Sequence, residues 1–223
     1  MKATLVGLLG LFSILAAVGC DGGEPSPEPD VLPGAPKPEA VSPAPAATGW
    51  RRIKLKDGEG AAAYELKKKD DGAKLVDPAD AEVLRFKLDG TKLKVKGPDD
   101  KVFGYVVVRP GELTLKDADQ TKELFEVQRG EDGDWKLKDG ADRMLLRIKK
   151  REYGWEIETP DDARTGKVKS DGGKVSLRDA DEKTQYYTKD AVKPLAMAML
   201  GLTPVESFEL RAGLMVAVQL LVD

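Results

Sequence analysis

Two short acidic stretches carry the residues whose type and spacing come nearest to chemistry. Asp117 and Asp119 stand one residue apart in "DADQTKE", and Asp179 and Asp181 repeat that spacing in "DADEKT". A calcium loop needs several oxygens converging, with acids or amides at alternate positions, a glycine after the third, and a distal bidentate Glu. Here Thr121 or Lys183 occupies the third ligand position and no glycine follows. Short acidic side chains accept hydrogen bonds from backbone amides a few residues ahead, so the pairs read as turn formers and no metal site is expected. Other chemistries fare no better. The chain has no histidine, which excludes imidazole bases, Ser-His-Asp relays and His-ligated zinc. There is no G-x-S-x-G elbow and no glycine-rich phosphate loop, and no acid/base pair can be singled out among 39 acidic residues. No catalytic residue and no cofactor is expected; a hydrolase ranks as the low alternative.

Charge supplies a second kind of candidate. The 36 basic and 39 acidic residues leave a formal charge of −3, which gives no footing for a nucleic-acid partner. Two local clusters are basic: Lys67, Lys68 and Lys69, and then Arg147, Lys149, Lys150 and Arg151. Against an anionic lipid surface each such charge contributes on the order of 1 kcal/mol. The competing reading is a solvated strand face whose lysines protect a sheet edge, and neighbouring aspartates favour it. The three tryptophans, Trp50, Trp135 and Trp155, fall at strand positions where wall or core packing is the default.

The one cysteine, Cys20, has a more definite context. Lys2 precedes the apolar run "ATLVGLLGLFSILAAV", and "AVGC" ends at Cys20. The run is short for a membrane span and long enough for an export leader. A lone cysteine after small residues resembles the bacterial lipobox, with Ala17 where leucine is commonest. The resemblance implies a leader over 1–19, cleavage before Cys20, and acylation (diacylglycerol and palmitate-like chains) of that cysteine. The partner so implied is a membrane, reached through the acyl anchor, with the rest facing the periplasm or the cell exterior. Residues 20–49 follow as a tether of Pro, Ala, Gly and acids, with too few large apolar side chains to offset chain entropy.

The elements that would position any site begin near Trp50 and run from 50 to 223. Residues 70–125 align without a gap on 132–187, with 19 identities in 56 positions, among them Pro98-Asp99-Asp100 with Pro160-Asp161-Asp162. Two copies, about 64–126 and 127–188, are too few for a solenoid and point to one closed, internally duplicated domain. Each copy alternates polar and apolar residues, as in "TKLKVK" and "YGWEIE", between Gly, Asp and Pro turns. That gives about twelve antiparallel strands, preceded by an introductory hairpin over 51–56 and 62–68, and such a set closes to remove its edges. The tail differs. "AVKPLAMAMLGL" is apolar, and Thr203, Pro204 and Glu206 have the spacing of a helix start, predicting a helix over about 204–222. It is apolar nearly all round from Ala212 and must be buried.

A mainly β, duplicated antiparallel barrel with a buried hydrophobic C-terminal helix resembles the tubby C-terminal-like fold of tubby proteins, phospholipid scramblases and LURP-one-related proteins. That resemblance implies lipid binding or lipid handling as one role. It carries over no site residues, since this chain has neither a Cys-rich palmitoylation segment nor a calcium loop. The expected function is a membrane-anchored lipoprotein acting as a non-enzymatic envelope binding or interaction module, for an envelope protein or lipid ligand. The lipid-handling role is the alternative.

Overall fold

The computed structural model describes residues 49–222. The leader over 1–19, acylation of Cys20 and nearly all of the tether lie outside these residues. Within them the chain forms fourteen strands and two helices: β1 (Arg52–Asp57), β2 (Ala62–Lys69), β3 (Gly72–Val76), β4 (Glu82–Asp89), β5 (Lys92–Lys96), β6 (Val102–Arg109), β7 (Glu112–Lys116), β8 (Glu123–Arg129), β9 (Trp135–Asp139), β10 (Met144–Arg151), β11 (Gly154–Glu158), β12 (Arg164–Asp171), β13 (Lys174–Asp179), β14 (Thr184–Thr188), α1 (Pro194–Leu200) and α2 (Phe208–Leu221). Every strand pairs antiparallel with its neighbour in sequence, and β1 closes on β14 through Lys56 with Tyr187 and Asp57 with Tyr186.

The count corrects the expected twelve. The introductory hairpin is a full stave of the barrel, because β1 alternates buried Ile53 and Leu55 with exposed Arg52, Lys54 and Lys56 and so continues the same wall. Fourteen strands form seven hairpins built alike. In each, the register slips by one residue near the longer loop, passing over Ala63, Val83, Phe103, Leu124, Leu145, Thr165 and Gln185. Such bulges bend a strand and sharpen its twist, which helps a sheet close. The loop beyond each bulge repeats too. A left-handed residue recurs at Gly60, Asp80, Asp100, Gln120, Asp142, Asp162 and Glu182. Asp57, Asp77, Asp117, Asp139 and Asp179 open five of these loops and accept backbone N–H bonds of 2.8–3.2 Å from residues two to five ahead. Thr159 does the same with its hydroxyl, and at Gly97 the neighbouring Asp99 substitutes. Asp117 and Asp179, singled out in the sequence, are therefore loop caps.

The alternation sorts the wall into two faces. Leu66, Leu84, Phe86, Leu93, Val106, Leu113, Leu137, Ile148 and Val168 are each at most 1% exposed and belong to one core with both helices. α1 packs on β11–β13 and α2 on β4–β7, and the two helices pack on each other. The lumen is thus filled by a helical pair. Outward positions carry Lys, Arg and Glu joined in pairs such as Lys74–Glu82 at 3.1 Å and Arg85–Glu82 at 2.7 Å. A lipid-facing barrel presents the reverse, an apolar band outside. No helix among the described residues is long and apolar enough to cross a membrane.

The tail departs from expectation in two places. The apolar stretch before Gly201 becomes α1, with Pro194 in its first turn, where a missing N–H costs nothing. The long helix starts four residues later than the sequence suggests. Ser207, not Thr203, is the cap, its hydroxyl accepting from Leu210 N at 3.2 Å, with Glu209 in the first turn. Thr203-Pro204-Val205-Glu206 instead forms a turn that inserts Val205, 1% exposed, into the core. Proline also disfavours helical geometry at the residue before it. Burial of Val205 and a second capping residue together move the start.

Candidate functional site

The two rims of the barrel differ in construction. One carries the seven capped loops. At the other, five of the six connections are two residues long, at 70–71, 90–91, 110–111, 152–153 and 172–173, as tight hairpins require. The sixth, between β8 and β9, has five residues, Gly130-Glu131-Asp132-Gly133-Asp134. It folds on itself: Gly130 N donates to Asp134 O at 2.7 Å and Asp134 N to Asp132 Oδ1 at 3.1 Å. Asp134 Oδ1 also accepts from Lys150 N at 2.7 Å, which pins the loop to the next hairpin.

Beside this loop the rim opens into two cavities. The larger, ≈ 540 Å³, is lined by the loop, Trp135, Lys150, Trp155, the start of α1 and the end of α2. The other, ≈ 380 Å³, lies toward β6 and β7 and shares Arg129, Trp135 and Val222 with the first. A third hollow of ≈ 200 Å³ continues from Trp135 and the loop onto the outer wall by Lys136, Arg147 and Lys149. The two larger volumes are of the order that suits small molecules. Three features hold the floor in place. Trp135 is 3% exposed and begins β9. Gln219, also 3% exposed, accepts from Lys193 N at 2.9 Å, which ties the end of α2 to the start of α1. The Lys193 ammonium donates to the Val222 carbonyl, where the negative end of the α2 dipole lies.

The sequence's basic clusters divide here. Arg147 bridges to Asp162 at 3.1 Å, Lys149 to Glu158 at 2.5 Å and Asp162 at 3.0 Å, and Arg151 to Glu156 at 3.0 Å. Hydrogen bonds to Glu158 and Asp162 raise the Lys149 pKa, and that to Lys149 lowers the Asp162 pKa. Lys67 pairs with Asp80. Lys68, Lys69 and Lys150 are exposed and sit toward the short-turn rim; the Lys68 ammonium lies 6.0 Å from the Trp50 ring. The structure thus brings Lys150 to the cleft, while Lys67, Arg147, Lys149 and Arg151 hold carboxylates of the wall. Arg129, Trp135, Trp155 and Lys193 were not chosen as site residues from sequence. One signal marked the place: the left-handed loop positions recur every 20 residues except between Gln120 and Asp142, where the interval is 22.

Fold and rim together define a helix-filled, fourteen-strand antiparallel barrel with a tryptophan-lined cleft at one mouth. No family profile and no curated protein matches the chain. Among solved structures, the X-ray structure of a protein from Arabidopsis thaliana is similar in part. It is 14% identical, with 74% of this chain and 94% of that one covered and a TM-score of 0.39.

Proposed function

We propose that this chain is a membrane-anchored bacterial envelope lipoprotein whose barrel is a non-enzymatic binding module, with its ligand seated in the Trp135–Trp155 cleft. One observation carries the cleft assignment. The single departure from the two-residue turns of this rim, the loop over 130–134, borders the largest of the cavities described. A repeat that tolerates extra residues at one point, beside a hollow, places variation where binding residues usually sit. The anchor rests on the lipobox at Cys20 and the Pro/Ala tether. A duplicated origin belongs to the same reading. It is supported by β4, β5 and β6, which recur 62 residues on as β10, β11 and β12 with equal lengths. The tubby-like likeness agrees in having a closed antiparallel barrel around a hydrophobic helix and departs in strand number.

Site-specific photocrosslinking in cells tests the role. A photoreactive benzoylphenylalanine replacing Trp155 should give a discrete adduct, and the same residue replacing Lys94 on the outer wall should give none. Equal yields at both positions, or none at 155, would remove the cleft from the proposal. Lipid handling at the anchoring membrane is the second reading, favoured by exposed Lys68, Lys69 and Lys150 near one rim. Residues 50–223 floating with anionic but not neutral liposomes would support it; background recovery with both would end it.

A further inference from the structure

The cleft has a chemical sign as well as a size. Its floor is apolar: Trp135, Leu195, Val218 and Val222. Its charged lining is Arg129, Lys150 and Lys193 against Glu131 and Asp132. Two of these are already engaged, since the Lys193 ammonium donates to the Val222 carbonyl and Asp132 accepts from the loop's own amide. Asp134, just behind, is likewise turned onto the Lys150 backbone N–H. In the adjoining cavity Arg109 is held by Glu112 at 2.8 Å. Arg129 and Lys150 are different. Both are exposed, and among the described residues neither has a carboxylate within ion-pair distance, although Arg147, Lys149 and Arg151 close by all have one. Arg129 lines both large cavities.

We infer that the cleft binds a small amphiphilic anion, with an apolar or aromatic body on the Trp135–Val222 floor and one acidic headgroup at Arg129 and Lys150. This rests on the binding role proposed above and specifies its ligand class. A planar guanidinium matches a carboxylate or phosphate with two parallel donors, and an ammonium adds a third charge-assisted bond. Trp135 is nearly fully covered and closes the floor, while the half-buried Trp155 indole is the aromatic surface open to an aliphatic or aromatic body. Glu131 remains on the loop as the one exposed acid not turned inward, and it sets a like-charge penalty against ligands with a second negative group on that side.

The test uses the intact chain in phosphatidylcholine nanodiscs and reads tryptophan fluorescence. The probes are 3-phenylpropionate, 3-phenylpropanol and 3-phenylpropylamine, which share one body and differ in charge. The carboxylate should saturate at roughly one-tenth the concentration the alcohol needs, the amine being weakest, as expected when two charged donors act on one headgroup. The double variant R129Q/K150Q should remove that tenfold advantage and leave the alcohol unchanged. Alcohol or amine binding as well as the carboxylate would overturn the charge assignment while leaving the cleft as a binding site. Persistence of the advantage in R129Q/K150Q would overturn the named headgroup residues. Saturation by none of the three would overturn the ligand class, and the crosslink at position 155 would then decide the binding role separately.

Discussion

Gly213 tests the barrel's central claim, that α2 runs inside the wall against β5. A Cβ built on Gly213 would lie 2.6 Å from Val95 Cγ2 and 3.5 Å from Val106 Cγ2. The second distance is ordinary contact; the first requires about 1 Å of movement by a helix wedged among buried neighbours, or a strained Val95 rotamer. Overpacking of this kind costs about 1–3 kcal/mol, while replacing glycine by alanine in a helix recovers about 1 kcal/mol of propensity. Gly213→Ala should therefore destabilise by about 1 kcal/mol. Val95 is fully buried, and Val95→Ala, which removes the clashing methyl, should cost about 2 kcal/mol alone. In that background the clash is gone and only propensity remains, so Gly213→Ala should become stabilising by about 1 kcal/mol. The reversal of sign amounts to a coupling of about 2 kcal/mol, well above the error of a double-mutant cycle between touching residues. Urea unfolding of the four chains, followed by far-ultraviolet circular dichroism, measures it. If Gly213→Ala has the same effect in both backgrounds, the helix does not pack on β5 as described.

Three further outcomes follow from the same structure. Ser207→Ala should lower stability by about 1 kcal/mol through loss of its bond to Leu210 N, whereas Thr203→Ala should change it by less than about 0.5 kcal/mol; equal effects would return the helix start to Thr203. Lysine hydrogen bonds hold Asp80, Asp100, Asp162 and Glu182 below their ordinary pKa values. A carboxylate depressed in the folded state contributes stability above its unfolded pKa and loses it as pH falls through the folded one, so with no histidine in the chain the unfolding midpoint should be flat from about pH 5 to 8 and fall below about pH 4. A midpoint that shifts between pH 6 and 7 would contradict this. Cys20→Ser should abolish labelling of the chain by a clickable fatty acid, and labelling that persists would exclude the lipobox reading.

Much of the wall was legible because a strand buried on one face writes its environment as a period of two. "TKLKVK" shows Leu93 and Val95 inside and lysines outside without any partner being known. The 62-residue offset was also legible, since Asp and Gly at loops are fixed by backbone geometry. The shorter hairpin period of 20 was less visible because one structural task is filled by different residues: Asp77 caps with a carboxylate, Thr159 with a hydroxyl, and Gly97 passes the work to Asp99. Physical equivalence there does not mean identity of letters. For the same reason the sequence shows Asp57–Gly60 as part of an introductory hairpin and not as the first of seven equal loops. α1 was hidden by brevity, as seven residues that are almost all buried show no amphipathic period. The cleft was hidden by distance along the chain. Arg129, Lys150, Lys193 and Val222 meet only once the barrel closes and the helices fill it, and no local pattern records that meeting.

That hiddenness bears on where function can reside in such a molecule. A barrel of like hairpins whose lumen is filled by its own helices has no interior left for a ligand, so recognition must fall to the rims or the outer wall. On the wall, Arg147, Lys149, Arg151 and Arg164 are matched by Glu156, Glu158, Asp162 and Glu182 in a web of pairs, which leaves little net field for a partner. The capped rim is occupied by its own hydrogen bonds, a leading side-chain oxygen in six loops and Asp99 in the seventh being turned onto the backbone ahead. The opposite rim is mostly closed by turns too short to reach anything. Only between β8 and β9 does the chain spend three residues beyond what the turn requires, and there the helix ends, two tryptophans and the unengaged Arg129 and Lys150 side chains converge. Shortening residues 130–134 to a two-residue turn such as Asn-Gly should therefore leave the barrel folded, because five neighbouring hairpins close that way, and should abolish both the tryptophan response to 3-phenylpropionate and the crosslink at position 155. A variant that folds and keeps both would show that the loop is incidental to the cleft.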